Sequence, residues 1–435
     1  MRQSTILAGL FGFALTLAQP CLAELSAEET GIIASIQRQH ADNEALLEKL
    51  VNINSGTLNL AGVQAVAELL RPEFESLGMH VRWIPMAEVG RAGHLLAEYR
   101  GQNAAAPRVL MIAHLDTVFE PDSPFQRYER KGNIAEGPGT NDIKGGIVVI
   151  LAALHSLKDS GILTRTNLTV FLSGDEEMEG APISLSRRDL VAAGKTHDVA
   201  LDFEALVRRN GSDAIYTGRR SALSWRVDVT AATGHSSGVG REGGYGAVYE
   251  VARIVDTFRR ELPEPNLTFN ASLIAGGTTA SLDPNETQAT AGGKSNIIAA
   301  RAYALGDLRT LSEAQTARVQ AKMRAIVAQH LALSSAQVSF EEGGYPPMEP
   351  TPQNHALFEQ LQQANADLHL PPLMEGNPIE RGAGDISFIA RYLPGLVGLG
   401  VAGENTHAVG EWVDLSSIDT QAARAALLIA RLAAR

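Results

Sequence analysis

Thiols are almost missing from this chain: Cys21 is the only cysteine in 435 residues. It lies inside a predicted leader, so the mature protein would have neither a disulfide nor a thiolate. A stable fold must then come from its core alone, and any metal site must be built from oxygen and nitrogen donors. An excess of positive charge is also missing. With 37 Lys and Arg against 49 Asp and Glu the net charge is -12, and no basic cluster interrupts it, which argues against a nucleic-acid partner. No membrane span is expected in the mature chain, because the one N-terminal apolar run, Ile6 to Leu17, is too short. Repeats and low-complexity segments are absent. Hydrophobic content of 45% and charged content of 20% are those of an ordinary globular protein, long enough for one large domain and a smaller one.

Arg2, the apolar run and the small residues of Cys21-Leu-Ala23 before Glu24 have the pattern of an export signal. Pro20 stands where a lipidation site would want Gly or Ala. The chain is therefore expected to be periplasmic or secreted, with residues 1–23 removed near Ala23.

Elements alternate along the rest. Ser26-Ala-Glu-Glu29 is a capping box opening a helix that carries Ile32, Ile33 and Ile36, and a second helical pattern runs from Val63 to Leu77. Strands are expected at 80–83, 95–99, 109–116, 168–173 and 199–203, with helices at 143–157 and 182–193. This order predicts an α/β fold: a central mixed, mostly parallel sheet flanked by helices. Between Ser221 and Glu342 the pattern changes to strand, helix (245–262), strand (267–275), strand (299–308), helix (312–330) and strand (337–340). That β-α-β-β-α-β order is ferredoxin-like and predicts an inserted α+β lid domain. The expected organisation is a catalytic domain of residues 24–219 and 343–435 and a lid and dimerisation domain of residues 220–342. The first domain resumes with a helix at 355–368, a strand at 395–401 and a helix at 417–434.

Chemistry-bearing residues gather at the ends of the predicted strands, the edge where open α/β sheets bind ligands. Met111-Ile-Ala-His114-Leu-Asp116 places a histidine and an aspartate two apart on one strand face. Gly137-Pro-Gly-Thr-Asn-Asp142-Ile-Lys-Gly-Gly146 turns into a helix with Asp142 near its start. Ser173-Gly-Asp175-Glu176-Glu177-Met-Glu179 crowds carboxylates that repel unless a cation or a proton neutralises them. Asp202 and Glu204 follow another strand, and His407 ends Glu404-Asn-Thr-His407. Alone, Asp142 reads as a helix cap, the acidic run as a solvated loop and each histidine as a structural one. The combination points to a metal-dependent hydrolase, with one carboxylate holding metal while its neighbour serves as a base.

The order His-x-Asp, Asp in a Gly-rich turn, Glu-Glu, Asp-x-Glu, His resembles the M20 family of metallopeptidases, and within it the glutamate carboxypeptidase-like enzymes. The resemblance extends from about residue 30 to the closing Glu411-Trp-Val-Asp-Leu segment. It implies two zinc ions, with manganese or cobalt as alternatives. Asp142 would bridge them, His114 and Glu204 would complete one site, and Glu177 and His407 the other. Glu176 would be the general base, and Asp116 would orient the His114 ring. A cis peptide between Asp142 and Ile143 is also implied. In the lid, His235 of Thr233-Gly-His235-Ser-Ser would reach a neighbouring subunit's site and stabilise an oxyanion, implying a homodimer. Asn296 and Arg309 match a lid pattern that binds the substrate's carboxylate or carbonyl. Between Asp202 and Glu204, the family's position favours Glu204.

Some positions depart from the family. Asn-x-Ile-Pro reads Asn296-Ile-Ile-Ala299, and Gly-Gly-Gly-Thr-Asp reads Arg381-Gly-Ala-Gly384-Asp385. Gly384 stands in for a threonine near the substrate carboxylate, and Arg381 adds a charge. Gly343-Gly-Tyr345-Pro lacks the arginine that glutamate carboxypeptidases carry after the lid. The expected activity is hydrolysis of an amide next to a free C-terminal carboxylate, in N-acyl amino acids or short peptides, with the released residue left open. An aminoacylase or dipeptidase of the same family is the alternative, and a non-catalytic periplasmic binding protein is the alternative from another class.

Overall fold

The computed structural model describes residues 25–341 and 343–434; the predicted export segment and Cys21 lie outside them. Helices α1 (Ala27–Val51) and α2 (Leu60–Ser76) precede strands β1 (His80–Pro85), β2 (Gly93–Arg100) and β3 (Arg108–His114). The capping box opens α1: Ser26 Oγ accepts from the Glu29 amide at 3.2 Å, and the Glu29 carboxylate accepts from the Ser26 amide at 2.8 Å. Helix α3 (Gly145–Asp159) then connects to β4 (Asn167–Ser173), and two helical turns (Ile183–Ser186, Arg188–Gly194) lead to β5 (Val199–Asp202). A second group follows: β6 (Leu223–Ala231), α4 (Ala247–Glu261), β7 (Leu273–Gly277), β8 (Arg301–Arg309), α5 (Glu313–Val327) and β9 (Ser334–Phe340). Helix α6 (Pro352–Asp367), β10 (Gly395–Val397) and α7 (Ser416–Ala433) complete the fold.

Six strands make the central sheet in the order β1-β2-β4-β3-β5-β10. β4, β3, β5 and β10 run parallel, while β1 and β2 pair antiparallel at one edge. The sheet is mixed and largely parallel, as predicted. Its middle strands are buried on both faces and so read as unbroken apolar runs. Val109, Met111 and Ala113 pack with α3 on one side, while Leu110 and Ile112 belong to the core on the other, the two-residue alternation of a strand.

Residues 223–340 form an antiparallel sheet in the order β9-β6-β8, with β7 and the short strand Thr268–Phe269 both on β8. One face is covered by α4 and α5, where Trp225, Val227 and Val229 meet Ile254, Phe258 and Met323 in a separate core. Trp225 and Phe258 touch edge to face at 5.5 Å.

Several elements differ in extent from the sequence expectation. The helix expected at 182–193 breaks at Arg187, whose side chain is 1% exposed and turned inward. The strand expected at 267–275 is split into Thr268–Phe269 and Leu273–Gly277, and between them the backbone at Asn270 lies so close to Gly306 that a Cβ there would sit 1.6 Å from the Asn270 carbonyl oxygen. The strand expected at 395–401 stops at Val397. Unforeseen were the ribbon Thr279–Leu282 with Ala289–Gly292 and two small sheets of short strands.

Candidate metal centre

The central sheet explains how residues distant in sequence meet. β4, β3 and β5 are neighbours, and parallel strands lie only about 4.8 Å apart. The loops leaving their carboxyl ends, at His114, Glu176-Glu177 and Glu204, therefore open side by side. Asp142 enters from the turn Thr140–Lys144 ahead of α3, where the Asp142–Ile143 peptide is cis. His407 arrives on a tight loop between Gly403–Glu404 and Trp412–Asp414, with left-handed backbone at Asn405 and His407.

Asp142 stands at the middle. Its Oδ1 is 3.1 Å from His114 Nε2 and its Oδ2 is 3.1 Å from His407 Nε2. His114 Nε2 is also 3.9 Å from Glu204 Oε1, and His407 Nε2 is 3.1 Å from Glu177 Oε2. Two sets, His114-Asp142-Glu204 and Asp142-Glu177-His407, offer ligand atoms within 4.8 Å of one another and share Asp142. Among the described residues Glu177 Oε1 is buried with no hydrogen-bond partner. Imidazole and carboxylate without sulfur suit zinc and other divalent cations, and an unpaired buried carboxylate oxygen beside such a set fits one more cationic partner.

The electrostatics agree with that fit. Burial would raise the Asp142 carboxyl, but bonds from His114 and His407 hold it well below the usual range. His407 is pushed up to about 11 by its bonds to Asp142 and Glu177. His114 also lies well above its ordinary value: burial opposes this, and Asp116 and Asp142 outweigh burial. Burial and the nearby Glu204, Asp385 and Glu177 charges raise Glu176 well above a normal carboxyl. So much acid in one place demands positive charge, from protons or from a cation.

Asp116 positions both walls of the centre. Its Oδ1 accepts from the Glu176 amide and its Oδ2 from the Glu177 amide, each at 3.1 Å, while Thr57 Oγ1 donates to Oδ2 at 2.7 Å. The His114 ring meets Asp116 through Nδ1, 3.0 Å from the backbone carbonyl and 3.4 Å from the carboxylate. Asp202 lies outside both ligand sets; its nearest cation is Arg219 at 3.7 Å.

The lid residues do not converge. His235 sits on an exposed turn with Nδ1 at 2.9 Å from Ser237 Oγ, and its backbone bridges Ile297, next to Asn296. Arg309 lies at the other end of β8, where Nε donates to Asp307 at 2.9 Å. Eight residue steps of strand put these ends about 27 Å apart. Arg381 reaches the centre, donating from Nη2 to Glu204 Oε2 at 3.2 Å. Gly384 touches no ligand; a Cβ there would lie 2.2 Å from Arg219 Nη1, so the Arg219 guanidinium occupies the space a side chain would need.

Sequence reasoning missed several supports. Glu411 accepts from the amides of Asn141 at 2.7 Å, Asp142 at 2.9 Å and Gly139 at 3.4 Å, clamping the turn that carries Asp142; burial pushes its carboxyl up to about 7 although the amides oppose this. Arg187 bonds Asp175 at 2.6 Å and Asp385 at 2.7 Å, and the Tyr345 hydroxyl donates to the Glu176 carbonyl at 3.1 Å. Arg219 donates to the carbonyls of Gly382 at 2.6 Å and Ala383 at 2.5 Å. The only available signals were the position of Glu411 in the closing segment and the Arg219-Arg220 pair at the lid boundary.

Comparison with known proteins supplies the family. Residues 110–431 match the family described as peptidase family M20/M25/M40. Carboxypeptidase G2 of Pseudomonas sp. (strain RS-16) is 30% identical over 244 residues, 55% of this chain; the chain spans 56% of that protein's length. A succinyl-diaminopimelate desuccinylase of Gluconacetobacter diazotrophicus is 26% identical over 359 residues, 80% of this chain and 87% of that protein. A tripeptidase structure from Staphylococcus aureus superposes with a TM-score of 0.68 at 19% identity, over 91% of this chain and 99% of that one, and shows the shared fold. With the family pattern matched across most of its length, the chain belongs to peptidase family M20/M25/M40.

Proposed function

We propose that this M20-family hydrolase is a carboxypeptidase-type enzyme that cleaves the amide next to a free C-terminal carboxylate in N-acyl amino acids or short peptides. The observation that carries this reading is Asp142, whose two oxygens each face a histidine at 3.1 Å while Glu176 and Glu177 stand together on the adjoining loop. Two cations, with zinc as the proposed metal, would be held by Asp142 as the shared ligand, one together with His114 and Glu204 and the other with Glu177 and His407. When bound, such a pair supplies Lewis acidity that polarises a carbonyl and acidifies a water. Glu176 takes the proton from the attacking water and returns it to the leaving nitrogen. A carboxyl raised by burial is suited to both halves of that transfer.

The separation of His235 and Asn296 from Arg309 along β8 supports sharing of the lid between subunits. Arg309 serves its own chain's cleft, and His235 and Asn296 serve a partner's. Tyr245, Val248 and Tyr249 on or beside α4 and Ile274 on the edge strand β7 are 41–60% exposed, an apolar surface suited to that dimer. Residues 24–219 and 343–435 form the catalytic unit and 220–342 the lid in this reading, and the location is periplasmic or secreted.

Purified, metal-loaded protein assayed on N-acylated glutamate, aspartate, leucine and phenylalanine tests the activity. Glu176→Ala is expected to lower turnover roughly 10²–10⁴-fold with metal content unchanged. Loss of metal together with activity would make Glu176 a ligand instead. A strict need for a free substrate amine would move the reading to a dipeptidase, and an inert holoprotein to a binding protein.

A further inference from the structure

The peptide that joins Glu176 to Glu177 is held on both sides. Its N–H, which belongs to Glu177, donates to Asp116 Oδ2 at 3.1 Å, and its carbonyl, which belongs to Glu176, accepts from the Tyr345 hydroxyl at 3.1 Å. The N–H of Glu176 itself donates to Asp116 Oδ1, also at 3.1 Å. A peptide is a rigid plane with soft rotations only at its two ends. Letting go of this carbonyl therefore re-aims the side chains that flank it, Glu176 and Glu177.

Tyr345 is fixed in its turn. Its hydroxyl uses both of its roles, donating to Glu176 and accepting from Arg187 Nη2 at 3.3 Å. Arg187, 1% exposed, is bonded to Asp175 at 2.6 Å and Asp385 at 2.7 Å. The Tyr345 ring packs on Phe388 with centroids 4.8 Å apart, and the Arg187 guanidinium lies 5.6 Å from the centre of that same Phe388 ring.

The main chain of Tyr345 has a different allegiance. The polypeptide enters the 223–340 unit through residues 219–222 and leaves it through 343–348, and these two crossings pair antiparallel. Arg219 and Met348 exchange backbone bonds of 3.0 and 2.9 Å, and the Ala222 amide donates to the Tyr345 carbonyl at 3.0 Å. A paired crossing between two separate cores is a hinge. Tyr345 thus has its backbone in the hinge and its hydroxyl on the loop of Glu176. From the facing strand, Arg219 comes within 3.7 Å of Asp202 and of Glu204.

We propose that Tyr345 is a positioning residue through which the hinge sets the aim of Glu176, so that a displaced hinge misaligns the base. The inference rests on the reading of Glu176 as general base and adds the residue that orients it. Proton transfer needs the base within about 2.6–3.2 Å of the group it serves, so a small rotation of this one peptide is felt in turnover rather than in substrate binding.

The test uses metal-loaded protein and whichever of N-acetylated glutamate, aspartate, leucine and phenylalanine wild type cleaves fastest. Tyr345→Phe keeps the ring on Phe388 and removes only the hydroxyl. It is expected to lower kcat roughly tenfold, the scale of one lost hydrogen bond, with KM and metal content unchanged. Gly344→Ala disturbs the hinge, because its Cβ would lie 2.6 Å from the Ala222 carbonyl oxygen. It should lower kcat by itself and add little further loss in the Tyr345→Phe background, since the two changes act through one bond. An unchanged kcat in Tyr345→Phe, a loss that comes with metal loss or a raised KM, or losses that multiply in the double variant would overturn the proposal. Hydrogen exchange supplies a readout without substrate: in Tyr345→Phe, protection of the amides of residues 174–180 should fall about threefold or more relative to that of β3. If wild type cleaves none of the four compounds, the hydrolase reading fails separately and exchange alone decides. Equal protection in the two proteins then rejects the hold of Tyr345 on this loop, and reduced protection upholds it.

Discussion

Around Asp142 each side chain has a distinct task, and Glu411 has one of the least obvious. Its carboxylate receives three amides of the turn 139–142, which fixes where both Asp142 oxygens point. Outer supports of this kind typically set metal affinity by 10–100-fold. Glu411→Gln keeps the shape but offers a single, weaker acceptor oxygen. It is therefore expected to weaken metal binding about tenfold or more in a chelator competition, and unchanged affinity would remove Glu411 from the centre's support. The ligand candidates were legible in the sequence because their order and their positions at strand ends are imposed by the sheet. Gly384 was not legible. Its neighbour Arg219 is 165 residues away, and only folding reveals that a guanidinium fills the place of a side chain.

At the level of elements, long runs could be read and short ones could not. β3 and β4 declare themselves through consecutive buried apolar residues, and α4 through Val251, Ile254 and Phe258 on one face. The ribbon at 279–292 and the three-residue strands Glu129–Lys131 and Ile134–Glu136 have too few residues for any period to emerge. The same helix α4 carries a pH-sensitive tie. Glu250 is fully buried and bonds Arg253 at 2.7 Å and the Leu331 amide at 3.0 Å, with His330 at 3.7 Å. Burial raises its carboxyl, but these partners outweigh burial and hold it below its ordinary value of about 4.5. A lowered folded-state value means the tie is fully present above about 4.5 and is lost as pH falls through the folded-state value. Hydrogen-exchange protection in residues 223–340, taken relative to the intrinsic rate at each pH, should fall on that descent in wild type. Glu250→Gln should begin with less protection and lose this part of the pH dependence; an identical profile in both would reject the tie.

Over the whole molecule, the proposed sharing of the lid between subunits can be tested by exchange. If His235 serves a neighbour, Glu176→Ala and His235→Ala subunits, each inactive alone, should regain activity when exchanged into mixed dimers. One site in each mixed dimer then has an intact Glu176 and an intact His235. No recovery after verified subunit exchange would place His235 outside the partner's site. The two sheets and their separate cores were legible from the change in strand pattern near Ser221. The separation of Arg309 from Asn296 was not, because a motif gives order along the chain and no distance across it.

The clamp at Glu411 also bears on how the protein is made. Both that carboxylate and His407 lie more than 260 residues after the turn they hold. A ribosome-tethered chain can lay down β3, β4 and β5 and still have only half a cradle. Loading with cations therefore waits until the segment 407–411 has been made and docked against that turn.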